Sequence, residues 1–281
     1  MLNRLGRRVR LFWFGTFLLL TAGGAHTLWR GHERREQRAR TAAMLARIPN
    51  KVLWVWERPE DLRAIDAANT GVAVLEETVY LGAYPHAYPG SGVNAIPRRE
   101  PVILPAGVRR IAVVRLEAAQ GFRGDAKTAG AAARELLRVA REPGIVDFEI
   151  DFDATRSQRG FYRSLLDRVR HGMPADLPLS ITALASWCSN DDWIADLPVD
   201  EAIPMYFRME PGRRQAANEP EYRVMEPLCA GSVGVSTHEA WPENIGNRRV
   251  YVFADKGWAK DLALLDVTEP EIKKTGLEGA R

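Results

Sequence analysis

Between residues 50 and 255, apolar side chains recur in short runs separated by polar turns that carry Gly and Pro. Eight runs predict strands: Val52–Trp56, Val72–Tyr80, Ile111–Glu117, Val146–Asp153, Leu179–Ala185, Glu201–Phe207, Ser232–Ser236 and Val250–Ala254. Between several of them the apolar period lengthens to that of a helix. Asp125–Arg141 sets Ala133, Leu136, Leu137 and Ala140 on one face, and Arg156–Arg170 does the same with Phe161, Leu165, Leu166 and Val169. Shorter helices are expected at Pro59–Ala68, Asp191–Asp196 and Gly257–Leu265. Strands alternating with helices imply parallel pairing. Eight such strands suggest an α/β fold, a closed (β/α) barrel. Residues 81–110 are rich in Pro and Gly and show no helical period, so the barrel is expected to be modified by a long irregular connection. A doubly wound open sheet is the competing architecture, but no Gly-rich phosphate loop follows the first strand.

The fourth run departs most from a buried strand. Parallel strands are usually apolar on both faces. In Val146-Asp-Phe-Glu-Ile-Asp-Phe-Asp153, acids and apolar residues alternate. One face carries Asp147, Glu149, Asp151 and Asp153, and the other Phe148, Ile150 and Phe152. Four carboxylates in a row resist burial, so they require solvent, basic partners or a chemical role. Turning the apolar face of each strand toward the helices points Glu76, Thr78, Tyr80, Arg115, Glu117, Ser180, Thr182, Ser186, Tyr206, Arg208, Ser232, Ser236 and His238 inward. Barrel enzymes place their active residues at the C-terminal ends of strands. Trp56, Trp187, Trp193, Trp241 and Trp258 fall at or beyond strand ends, where aromatic rings suit the apolar faces of sugars.

Charge and hydropathy change the picture at the ends of the chain. The formal net charge over 281 residues is only +3, which gives no sign of a nucleic-acid partner. The basic excess gathers at Arg4, Arg7, Arg8 and Arg10 and again at Arg30, Arg34, Arg35, Arg38 and Arg40. The apolar run 11–29 lies between these clusters. It reads as a signal-anchor, with a cleaved signal peptide as the alternative. The expected organisation is a leader over 1–30, a basic helical linker over 31–49, the barrel over 50–265 and a flexible tail over 266–281. The barrel would then face the periplasm, anchored in the inner membrane through residues 11–29 or free if the leader is removed. Export makes a disulfide possible for the two cysteines, Cys188 and Cys229. A simple barrel would set them at opposite ends, so two buried thiols remain the other reading.

Paired carboxylates at a barrel mouth suit glycoside hydrolysis. One acid protonates the leaving oxygen while another stabilises the positive charge developing on the sugar. The expected catalytic residues are Asp153 as general acid, Asp151 as its electrostatic partner and Glu117 as a second carboxylate. Glu76, Glu149, Arg115, Trp187, Tyr206, Arg208, His238 and Trp258 are expected to bind substrate. A structural ion network neutralised by Arg115 and Arg208 is the bland alternative. The chain has no HxH, HExxH or CxxC spacing and no Walker loop, so no cofactor or metal is expected. Carboxylate clusters do bind Ca²⁺ or Mg²⁺, so a metal-dependent hydrolase is a third reading.

Glu149-Ile-Asp151-Phe-Asp153 resembles the latter half of the DxxDxDxE motif of chitinase-like glycoside hydrolases. The resemblance sets Asp153 where those enzymes place a catalytic Glu, and Asp151 where they place an Asp that holds the acetamido group of the substrate. Val146 stands at the first Asp of the motif, and Met205-Tyr-Phe-Arg208 stands near their Met-x-Tyr-Asp. A wider resemblance runs through Val52-Leu-Trp-Val-Trp-Glu-Arg-Pro-Glu60, Ile150-Asp-Phe-Asp-Ala-Thr-Arg-Ser-Gln158, Leu179-Ser-Ile-Thr-Ala-Leu-Ala-Ser-Trp-Cys188 and Pro204-Met-Tyr-Phe-Arg-Met209. Those segments are similar to a bacterial family known only as a domain of unknown function. It implies a barrel related to glycoside hydrolases and no established activity. The expected partner is a carbohydrate polymer. The alternative is a saccharide-binding or envelope-assembly module without turnover.

Overall fold

The computed structural model describes residues 39–83, 92–189, 191, 193–208, 226–242 and 245–265. The expected leader at 1–30, the first part of the expected linker at 31–38 and the tail at 266–281 lie outside them. The chain divides into two units, Met1–Met44 and Leu45–Arg281. The described part of the first unit, residues 39–44, is helical. No helix of the described residues is long and apolar enough to cross a membrane.

The second unit is an eight-stranded parallel barrel of the TIM-like α/β type. Its strands are β1 (Lys51–Val55), β3 (Thr70–Leu81), β6 (Arg109–Ala118), β7 (Ile145–Asp151), β8 (Leu179–Leu184), β9 (Glu201–Met205), β10 (Ser232–Ser236) and β11 (Arg249–Phe253). They pair in that order, and β11 returns to β1 to close the ring. All eight correspond to the runs read from the apolar pattern. The Ala-rich stretch forms α1 (Ala126–Ala140), capped by Asp125, whose carboxylate accepts from Thr128 N at 2.7 Å. The second amphipathic stretch forms α2 (Arg159–Gly172), preceded by a 3-10 turn at Arg156–Gln158. A five-residue α3 (Ala185–Ser189) follows β8.

Residues 59–68 do not form the expected helix. Glu60–Asp61 is a short strand, β2, that pairs in parallel with β5 (Val102–Ile103), and turns occupy most of the rest. The irregular stretch 81–110 contains β4 (Val93–Pro97), which lies antiparallel on the far half of β3. The first half of β3 pairs with β1, and its second half, from Glu77, pairs with β4 instead. The β3–β4 wall therefore rises above the end of β1.

A bulge between Leu75 and Glu77 makes this wall possible and reverses the facing of β3. Before it, Ala73 and Leu75 belong to the apolar cluster inside the barrel. After it, Val79 and Leu81 pack with α1, and Glu77 pairs with Arg138 of that helix. Glu76 points outward too, to Arg110 of β6 at 3.0 Å. Its expected place in the mouth is thus corrected.

Apolar residues fill both sides of the barrel wall. Phe148, Ile150, Leu179 and Ile181 pack against α1 and α2, whereas Val52, Trp54, Ile111, Val113, Ile203 and Tyr251 fill the interior. Cys188 and Cys229 form a disulfide with Cα atoms 5.9 Å apart. A loop excursion brings them together. Cys188 lies on α3, and Cys229 ends a 3-10 turn (Pro227–Cys229) that returns to α3, where Glu226 N donates to Cys188 O at 3.2 Å.

Candidate active site

Strand β7 builds the site, because every second residue is an acid that must enter the closed interior. Asp147 lies lowest, fully buried, and accepts from Ser180 Oγ of β8 at 2.7 Å. Burial pushes its carboxyl up to about 7. Beside it, Glu201 of β9 is bound by Arg249 Nη1 at 2.9 and 3.0 Å and by Ser232 Oγ at 2.6 Å. Arg249 also donates to Leu45 O and Pro49 O, so this ion pair closes the base of the barrel. One layer up, Glu149 accepts from Trp54 Nε1 of β1 at 2.7 Å. Burial, reinforced by the neighbouring acids, raises its carboxyl well above the ordinary range and favours its neutral form. Glu149 is therefore an internal structural group, not the substrate contact expected of it.

Asp151 ends the strand at the mouth. Arg115 Nη1 donates to its Oδ2 at 2.6 Å, and Thr182 Oγ1 of β8 donates to its Oδ1 at 2.7 Å. Arg115 Nε also holds Glu117 Oε1 at 2.6 Å. One guanidinium thus fixes two carboxylates of the predicted set in a fork geometry that lysine lacks. Asp153 lies two residues further on, at the exposed rim. It accepts no hydrogen bond among the described residues. Burial of its carboxyl side and the charges of Asp151 and Glu117 raise it, with Arg115 opposing, and solvent at the rim damps the effect.

The structure selects one of the five candidate tryptophans for the mouth. Trp56, just past β1, lies 5.6 Å from the Arg115 guanidinium and 6.0 Å from that of Arg208, within cation–π range. Phe253 lies tilted against it with ring centroids 6.2 Å apart, and Phe207 packs on Phe253 at 4.7 Å. Trp187 and Trp258, the two tryptophans expected to bind substrate, are both buried in the packing outside the barrel wall. Trp187 meets Trp193 edge-on, and Trp258 Nε1 donates to Trp54 O at 3.0 Å. Neither presents a ring to the mouth. Tyr206 is buried with Val235 and Ala185 on the outer side of the wall. His238 faces Asp261 of the helical segment 258–265, with Nε2 and Oδ1 3.1 Å apart. Arg115, Glu117, Asp151, Asp153 and Arg208 are therefore brought together, whereas Glu76, Tyr206, Trp187, Trp258 and His238 are not. Trp56 and Thr182 complete the mouth. Both stand at the ends of strands with inward parity, a signal the alternation carries.

A cavity of about 900 Å³ lies elsewhere, by Pro49, Asn50 and Lys51 at the start of β1 and Arg248 before β11. It shares no residue with the mouth, and ligand chemistry in such barrels belongs at the opposite end. Among the described residues, no group of three or more His, Cys, Asp or Glu is arranged to hold a metal ion.

Residues 106–203 match the model of a family described as a domain of unknown function, DUF3142. The match takes in β6 to β8 and the start of β9, and hence Arg115, Glu117, Asp151 and Asp153. Among solved structures, the chain is similar to the chitinase domain of the spore coat protein CotE from Clostridium difficile, at 18% identity and a TM-score of 0.38. That similarity covers 56% of this chain and half, 50%, of the other. No curated protein matches the chain.

Proposed function

We propose that this barrel hydrolyses glycosidic bonds in a carbohydrate polymer at its C-terminal mouth. The observation that carries the reading is the division of two neighbouring carboxyls, one at the end of β7 and one two residues beyond it. Asp151 is fixed as an acceptor by Arg115 and Thr182, whereas Asp153 accepts no hydrogen bond among the described residues and is raised. Two acids with separate environments are what acid-assisted glycoside cleavage requires. Asp153 gives its proton to the glycosidic oxygen as the bond from the anomeric carbon breaks. Asp151 and Glu117, both held on Arg115, lie against the positive charge that develops on the ring. Water then adds to the anomeric carbon, and its proton returns to Asp153. Trp56 supplies the stacking surface. The Cys188–Cys229 disulfide supports an oxidising location, consistent with export ahead of the barrel and a periplasmic setting.

The second reading, a saccharide-binding module without turnover, is favoured by the same arginine, which occupies both Asp151 and Glu117. Reducing-end release from chitin-type oligomers and bacterial polysaccharides, with wild type and Asp153→Asn side by side, separates the two. Turnover lost in the variant is the expected result. Saturable binding by both proteins with turnover by neither would leave only the module.

A further inference from the structure

We infer that Arg208 and Trp56 form a subsite for a carboxylate carried on a sugar ring, so that the mouth selects an acidic saccharide; this rests on the saccharide reading above. Arg208 is the one non-glycine residue with positive φ among the described residues, at 54°. Such a backbone costs free energy and persists where the surroundings hold it. Here Glu239 Oε1 accepts from Arg208 N at 2.9 Å and fixes the turn after β9. The result aims the side chain at the mouth, with the guanidinium 6.0 Å from the Trp56 ring.

What distinguishes Arg208 is a guanidinium whose one ion pair among the described residues is long. Around the same rim, Arg98 gives its guanidinium to the carbonyls of Trp56, Leu75, Arg58 and Glu100. Arg58 binds Glu60 and the carbonyls of Ala254 and Asp255. Arg115 binds Asp151 and Glu117. The Arg208 guanidinium makes no hydrogen bond among the described residues, and its side chain is 67% exposed. The carboxylate facing it, Asp255 Oδ1, stands 3.7 Å away, beyond hydrogen-bond distance. A planar fork, held over an aromatic ring and with only the long ion pair to Asp255 among the described residues, matches a carboxylate bidentately. Of the other acids of the mouth, Asp153 is the proton donor of the saccharide reading and meets a carboxylate in its neutral form. Arg115 engages Asp151 and Glu117, and Glu239 is engaged by the backbone of Arg208 itself. A sugar stacked on Trp56 would place an equatorial carboxylate within reach of Arg208, displacing Asp255.

The test is calorimetric binding of uronic-acid tetramers (galacturonate, mannuronate and glucuronate types), each paired with the same tetramer reduced to neutral alcohols. Wild type is expected to bind at least one acidic tetramer about tenfold more tightly than its neutral partner, with the gap shrinking as salt rises. Arg208→Gln should erase that gap, bringing the acidic tetramer down to the affinity of its neutral partner. Asp255→Asn should widen it, because a competing carboxylate is gone. Arg208→Lys should keep only part of the preference. Equal binding of both members, or a preference that survives Arg208→Gln in protein with unchanged melting, overturns the subsite. If neutral oligomers bind or turn over without an acidic preference, the subsite falls and the hydrolase reading stands. If no saccharide binds at all, both fall together.

Discussion

Asp151 is the residue on which the mouth depends, because side chains from two other strands, Arg115 of β6 and Thr182 of β8, meet at it. Thr182→Val removes the donor to Oδ1 and leaves a buried carboxylate oxygen unpaired, at a cost of about 1–2 kcal/mol. Urea unfolding of the variant should show that loss with an unchanged m-value. Asp153→Asn should have the opposite profile: turnover down by about 100-fold or more with the urea midpoint within error of wild type, since the side chain is exposed and accepts no hydrogen bond among the described residues. The acids and Arg115 were legible in the sequence because alternation along one strand is a local property. The tryptophans were not. Five stand near strand ends, and only Trp56 has the inward parity that puts it beside Arg115. Trp187 and Trp258 follow helical geometry into the core, and no strand rule applies to them.

Among the elements, the Cys188–Cys229 link and the β3 bulge both depend on the path of a connection. The disulfide spans 41 residues and joins α3 to the turn before β10. In the chain-entropy account, a loop of that size contributes about 3–4 kcal/mol by limiting the unfolded chain. Cys188→Ser with Cys229→Ser is therefore expected to lower the melting temperature by several degrees, and reductant should lower that of wild type equally. No shift with reductant would show that the thiols are not joined in solution. The bulge reverses the parity of β3 between Leu75 and Glu77, so residue counting alone sends Glu76 to the wrong side of the wall. Two adjacent acids, Glu76 and Glu77, absorb the reversal by pairing with Arg110 and Arg138 on the outer face.

The molecule as a whole encloses a ladder of carboxyls, and that makes its stability depend on pH. Asp147 rises to about 7 and Glu149 well above its ordinary range, both through burial in the barrel. Glu77, on the outer wall, also rises to about 7 through burial, with Arg138 opposing. A carboxyl with a raised folded pKa holds its proton more firmly when folded than when unfolded. From about pH 4 to about 7 the folded chain therefore binds more protons, and stability falls as pH increases. Urea midpoints should be higher at pH 5.5 than at pH 8, and Asp147→Asn should flatten the difference. A midpoint that rises over this range would mean that the interior acids are ionised and paired.

The sequence by itself determined the eight strands, the two long helices and the inward row of acids. Strand parity and helical period are set by backbone geometry over a few residues, and burial of the apolar face then selects one side. Only the tertiary structure decided which partner each acid finds. Closure brings Trp54 of β1 to Glu149 and Thr182 of β8 to Asp151, and it ties Arg249 to Glu201 across β10. It also decided which aromatic ring meets the mouth, where the bulge resets the register, and how a connection returns Cys229 to Cys188. These are contacts between residues far apart in the chain, and their energies depend on distances that no local pattern records.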